Sequence, residues 1–241
     1  MPSKVILWTD YVSPYAFVAK AGTYELERDY DIALEWRPYT LDIASFQQSV
    51  EARDPHHWRR VRYAYMDARR FANKQGLTLK GPKKIYYARA INTGMLYAQR
   101  HGVFRAYNDR AFERFWKREL DAESAEAVEA LTIEVGAPPG FSAFLAGDGG
   151  AEHDRLRAEA EAAGVFGVPT FVYQVSGEYA MIEHAAAAGA GDRDDVEIRQ
   201  ARLHHHEIRA LSEVEFDFAQ RLVDIRGVHL IAALVPLQPP A

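Results

Sequence analysis

Within its first forty residues the chain alternates strand, helix and strand, and this spacing limits the folds open to it more than any other feature. Lys4 to Thr9 (KVILWT) is a short apolar run ending in polar residues, which reads as a buried strand rather than a helix. Ser13-Pro14 then opens a helix. Serine is a preferred N-cap, proline suits the first helical position, and Ala16, Phe17, Ala19 and Leu26 can line one face. Ala33 to Tyr39 (ALEWRPY) reads as a second strand, with Pro38 marking its end or a sheet edge. A crossover this short favours a parallel pair.

From Leu41 to about Gly164 the character changes. Ala, Arg, Glu, Tyr and Phe recur at helical spacing over His57–Lys74, Ile85–Arg100, Arg105–Glu119, Ala125–Val135 and Ala151–Ala163. Gly76, Gly81-Pro82, Gly102, Gly136 to Gly140 and Gly147 to Gly150 read as the punctuation between them, so five or six helices are expected. Gly164-Val165-Phe166-Gly167-Val168-Pro169 then turns into the β-branched and aromatic run Thr170-Phe171-Val172-Tyr173. The strand layer therefore resumes. A helical block between two strand-rich halves predicts an α/β architecture: one sheet domain from residues 1–42 and 165–241, interrupted by an inserted helical subdomain at 43–164. Beyond Gly177 the periodicity weakens, and Pro236 to Ala241 reads as a loose tail.

Charge and composition narrow the partners. The 241 residues carry 29 basic and 34 acidic side chains for a net charge of −5, so no global field attracts nucleic acid or an anionic membrane surface. No apolar run reaches the ~18–20 residues of a membrane span, and the few apolar residues before Asp10 are too short for a secretion signal. A cytoplasmic protein is the expectation. The chain has no cysteine, which removes disulfides, thiolate metal sites, a cysteine nucleophile and CxxC redox chemistry of its own.

Two short segments carry the candidate chemistry. In Asp10-Tyr11-Val12-Ser13-Pro14-Tyr15, a hydroxyl sits at a helix N-terminus, where backbone N–H groups and the helix dipole favour an anion such as a thiolate or carboxylate. Spacing alone leaves two readings open: Ser13 as an N-cap only, or Ser13 as an anion-holding active-site residue. Val168-Pro169-Thr170 lies just before a strand, and an X–Pro bond carries only a small trans preference, so a cis bond is open there too.

Together, strand, Ser-Pro-Tyr, helix, helical insertion and Phe166-Gly167-Val168-Pro169-Thr170 resemble one branch of the thioredoxin superfamily. That branch holds DsbA-like proteins, kappa-class glutathione transferases and 2-hydroxychromene-2-carboxylate isomerases, and the resemblance spans roughly residues 4–176. DsbA-type members carry Cys-Pro-x-Cys where this chain has Ser13-Pro14-Tyr15; the isomerases and kappa transferases carry Ser-Pro-Tyr or Ser-Pro-Phe. The resemblance implies a thioredoxin-like fold with a large helical insertion and glutathione as cofactor. It implies that Ser13 hydrogen-bonds the glutathione sulfur and stabilises its thiolate. Pro169 would be the facing cis-proline, and the Val168 backbone would pair with the cysteinyl unit in a strand-like manner. The substrate implied is a small aromatic electrophile, isomerised or conjugated by that borrowed thiol. Relatives are often dimeric, so a homodimer is among the expectations, although nothing in the sequence marks its interface. The competing expectation is a non-catalytic DsbA-like module that binds extended peptides or acts as a chaperone in the groove beside Pro169.

The remaining family positions match less closely. Alignment on the resemblance puts Arg60 at the place of a family lysine, with Tyr63 and Asp67 following in register; Arg60 can pair with a carboxylate, with different geometry. Gly191-Asp192-Arg193 stands where the family has a Gly-x-Asp-Arg loop for the γ-glutamyl end, and a solvated charged loop is the alternative. His204-His205-His206 would point about 100° apart on a helix and cannot all face one ion, so no metal site is expected. Arg59, Arg60, Arg62, Arg69 and Arg70 form a basic stretch with two readings, a solvated helix face or a receiver for a carboxylate.

Overall fold

A computed structural model describes residues 2–41, 55–175, 178–184 and 230–233. Strand β1 (Ser3–Thr9) leads into helix α1 (Pro14–Asp29), and strand β2 (Ile32–Pro38) follows. Six helices come next: α2 (Pro55–Lys74), α3 (Arg89–Arg100), α4 (Phe104–Lys117), α5 (Ala125–Glu134), α6 (Phe141–Ala146) and α7 (Asp148–Ala162). Strands β3 (Thr170–Val175), β4 (Glu178–His184) and β5 (Leu230–Ala233) complete the described chain.

The sheet order is β2-β1-β3-β4-β5. β1 and β2 are parallel, with Val5 opposite Leu34, as the short crossover requires. β3 runs antiparallel to β1, with Leu7 opposite Phe171, and β4 and β5 continue antiparallel. β1 is therefore paired on both sides, which matches its buried Val5, Leu7, Trp8 and Thr9. Pro38 ends the edge strand, where a missing N–H is tolerated.

α1 starts where its sequence says it should. Ser13 has an extended backbone (φ −85°, ψ 120°), its Oγ accepts the Ala16 N–H, and Pro14 occupies the first turn. The helix buries Tyr15, Ala16, Phe17, Val18, Ala19 and Leu26. Helix α4 of the insertion packs onto it through aromatic rings. Phe17 stacks on Phe112 at 5.6 Å and on Trp116 at 6.0 Å, and Tyr11 lies 4.6 Å from Phe112. Polar ties add direction: Gln75 Nε2 donates to Val18 O (2.9 Å) and Gln99 Nε2 to Trp36 O (2.8 Å).

The helical block differs from the sequence expectation in three places. The helix expected from Ile85 starts at Arg89, because the Tyr87 amide is drawn to Glu123 Oε1 at 2.7 Å instead of entering a helical ladder. A short helix, α6, fills the stretch after the expected Gly136–Gly140 break; it buries Phe141 and Phe144 but spans only six residues, too few to show a period. Gly149 and Gly150 read as loop residues, yet they sit in the first turn of α7. A Cβ on Gly149 would lie 2.2 Å from Phe144 Cε1, and one on Gly150 2.3 Å from the Leu145 carbonyl oxygen. These glycines serve close packing rather than chain reversal.

Candidate active site at the start of the first helix

The fold brings the two sequence segments singled out above into contact. Ser13 Oγ donates to the Val168 carbonyl oxygen at 3.3 Å while accepting Ala16 N–H at 3.3 Å. The Val168–Pro169 bond is cis. Ser13 (6% exposed) and Val168 (5%) are mostly covered, and Thr170 Oγ1 closes the turn on Gly167 O at 2.7 Å. A hydroxyl that both caps a helix and donates to the carbonyl of the residue before a cis-proline is more than an isolated N-cap.

α2 supplies the neighbouring wall. The Tyr15 hydroxyl donates to Asp67 Oδ2 at 3.4 Å, and Asp67 Oδ1 accepts from Arg70 at 3.4 Å. Burial, followed by the negative Asp67 beside it, pushes the Tyr15 phenol well above its ordinary range, so it stays a neutral donor. Tyr63 and Asp67 lie one turn apart on α2, and Arg60 lies two turns before Asp67 on the same stripe, about 10 Å along the axis. Arg60 is half-buried there. Tyr63 is 59% exposed and Phe166, two residues before Val168, is 44% exposed, which leaves aromatic surface at the rim. Asp192 and Arg193 lie outside the described residues, as does His204-His205-His206. No group of three His, Asp or Glu side chains placed for a metal occurs among the described residues. Two open grooves lie elsewhere, one of about 610 Å³ along β2 and one of about 530 Å³ between α4 and the end of α5. Neither is lined by Ser13, Val168 or Pro169.

Sequence reasoning missed a buried polar cluster directly behind Ser13. Asp10 is fully covered, and its carboxylate accepts from Val12 N (3.1 Å), Asn92 Nδ2 (3.0 Å) and Leu41 N (3.1 Å). Burial outweighs these three bonds and pushes the Asp10 carboxyl up to about 6. Asn92 also donates to Thr40 Oγ1 at 2.8 Å, and Thr40 Oγ1 lies 2.7 Å from His153 Nε2. His153 is buried and held below its ordinary range by desolvation, so it is neutral near pH 7. Asp154, bonded first by Arg89, is lowered to about 2. Asp10 sits three residues before Ser13, which was a signal for its place. Nothing in the spacing marked Asn92, Thr40 or His153.

Comparison with known proteins identifies the family and the fold. The chain is 27% identical over 172 residues to a 2-hydroxychromene-2-carboxylate isomerase of Pseudomonas sp. (strain C18), covering 69% of this chain and 79% of that one. A solved 2-hydroxychromene-2-carboxylate isomerase superposes with a TM-score of 0.56 at 23% identity, over 73% of this chain and 87% of that chain. The cytosolic disulfide reductase DsbM from Pseudomonas aeruginosa superposes with a TM-score of 0.52 at 13% identity, over 74% and 88%; with GSH it gives 0.50 at 13% identity, over 71% and 86%. No described helix is long and apolar enough to cross a membrane. The family model for the DSBA-like thioredoxin domain matches residues 4–197, some twenty residues beyond the resemblance read from motifs. With its sheet, its helical insertion and its helix-capping residue set against a cis-proline, the chain belongs to the DSBA-like thioredoxin domain family.

Proposed function

We propose that this protein is a cytoplasmic, glutathione-dependent isomerase of the 2-hydroxychromene-2-carboxylate isomerase type, or a kappa-like glutathione transferase, acting on small aromatic electrophiles. The observation that carries the reading is Ser13 Oγ at the α1 N-terminus, bonded across to Val168 O beside cis-Pro169, in a chain that has no thiol of its own. A thiolate is one of the anions that such a hydroxyl and helix end favour. The isomerase relatives support the reaction class, and the fold neighbour solved with GSH supports the cofactor.

The residues present fit the sulfur end of the tripeptide. Ser13 Oγ donates to the Val168 carbonyl in the free protein, and that carbonyl is the acceptor an added strand would use. Val168 O would accept the cysteinyl N–H of bound glutathione, and the Ser13 O–H, released from Val168, would donate to the sulfur. Arg60, on the α2 stripe that leads to Asp67, receives a carboxylate. Bound glutathione would supply a nucleophilic sulfur able to add to an electrophilic carbon and, in an isomerisation, to leave again as the thiolate, so that no thiol is consumed. Tyr63 and Phe166 offer exposed rings against which an aromatic substrate can lie. Glutathione is the thiol that the cytosol supplies in abundance.

The reading is tested by turnover. Purified protein should isomerise or conjugate an aromatic electrophile such as a hydroxychromene carboxylate with glutathione present and not with glutathione omitted. Equal turnover without any thiol, or tight binding of extended peptides with no response to glutathione, would overturn it in favour of the peptide-binding module.

A further inference from the structure

A hydrogen-bonded line runs from the outer face of the insertion to the Ser13 loop, and its direction is fixed at each step. At the surface, Arg89 grips both oxygens of Asp154 through Nε (3.1 Å) and Nη2 (2.9 Å). Asp154 Oδ1 lies 3.0 Å from His153 Nδ1, so the carboxylate places the imidazole proton on Nδ1. Nε2 of the neutral ring is then an acceptor, and Thr40 Oγ1 at 2.7 Å must donate to it. Thr40 therefore has only lone pairs to offer Asn92. The Asn92 amide nitrogen accordingly turns to Thr40 and to Asp10 Oδ1, and Asn92 Oδ1 is left to accept Tyr11 N–H at 3.3 Å. Flipping Asn92 would set its oxygen against the Asp10 carboxylate and its N–H against the Tyr11 amide.

The far end of this line governs the approach to α1. Each backbone amide between Asp10 and the helix has a partner from two residues: Tyr11 N on Asn92 Oδ1, Val12 N on Asp10 Oδ1, and Ser13 N on the Asp10 carbonyl at 3.0 Å. The 3.3 Å contact of Ser13 with Val168 O is the next link after these. We infer that Asn92 is a positioning residue for the Ser13 site: its carboxamide, oriented through Thr40 and His153, fixes the Asp10–Ser13 loop and so the place of the Ser13 hydroxyl. The inference rests on the proposed function only for what the site binds. The positioning itself is a property of the free protein.

Thr40 is the place to test it, because it touches neither Ser13 nor Val168 and its hydroxyl acts through Asn92. Thr40→Val keeps the volume but leaves Asn92 and His153 each short of a partner, whereas Thr40→Ser keeps the hydroxyl. Amide hydrogen exchange of residues 10–16 and denaturant unfolding are measured on the free proteins, and glutathione affinity on the same samples. Thr40→Val should speed exchange at Tyr11, Val12 and Ser13 at least about tenfold beyond any change in global unfolding. It should weaken glutathione binding by a similar factor, and Thr40→Ser should restore both. Should Thr40→Val not fold, Thr40→Ala with the same serine control takes its place. Unchanged loop exchange overturns the inference, and so does a loosened loop with unaltered glutathione affinity. If wild type binds no glutathione while the exchange pattern holds, the proposed function falls and the positioning stands.

Discussion

At the scale of single residues, the capping role of Ser13 and its proposed site role can be separated. As an N-cap it accepts Ala16 N–H, which is worth ~1 kcal/mol to the helix. As a site residue it sits where the helix end favours an anion. Ser13→Cys tests the second role without any ligand: the new thiol should titrate below its ordinary ~8.5, seen as alkylation at neutral pH faster than for a free thiol. A pKa at or above the ordinary value would show that the helix end holds no anion. Asp10 makes the opposite kind of statement. Its carboxyl is raised from 3.8 to about 6 by burial, so the folded state binds that proton more tightly than the unfolded chain does. The stability this adds is fully present below pH ~4 and is lost as pH rises through about 6, a change of about 3 kcal/mol. Denaturant unfolding of wild type and Asp10→Asn across pH 4 to 7 should show the wild type losing ground to the variant by up to that amount. A constant difference would contradict the buried-carboxyl account.

At the scale of elements, the two segments with strong local rules were legible and the long-range polar ones were not. Ser13-Pro14 announces a helix start because capping is a local interaction, and Lys4–Thr9 announces a paired strand because burial on both faces leaves a continuous apolar run. Asn92 and His153 carry no such mark. Their partners lie 82 and 113 residues away, and on a helix each reads as an ordinary polar residue. Glycines misled for a related reason: Gly149 and Gly150 look like punctuation, and only the nearby Phe144 ring and Leu145 carbonyl reveal why no side chain fits. Gly94, in α3, reads as helical and is packed just as closely. A Cβ there would lie 2.1 Å from Tyr107 Oη and 2.9 Å from Val128 Cγ1, and Tyr107 Oη is held on Ile91 O at 2.7 Å. Gly94→Ala should therefore destabilise the protein by ~1–3 kcal/mol through overpacking, despite alanine's better helix propensity. A urea midpoint at or above that of wild type would contradict this packing.

At the scale of the whole molecule, the helical insertion is tied to the sheet side by several polar contacts rather than resting on it as a cover. α2 and the turn after it reach α1 through Asp67 and Gln75, α3 reaches β2 and the Ser13 loop through Gln99 and Asn92, and α7 reaches Thr40 through His153. The sequence read as an ordinary chain with a missing cysteine; in the fold a helix-end hydroxyl stands against the Val168 carbonyl beside a cis-proline, with a hydrogen-bonded polar cluster behind it. The account turns on whether that hydroxyl holds a borrowed thiolate. Titration with glutathione, followed by binding heat and by the ultraviolet absorbance of the thiolate near neutral pH, tests this most directly. Wild type should bind glutathione and raise the thiolate signal, and Ser13→Ala should remove the signal while remaining folded. No binding heat with wild type, or an equal thiolate signal from Ser13→Ala, would contradict it.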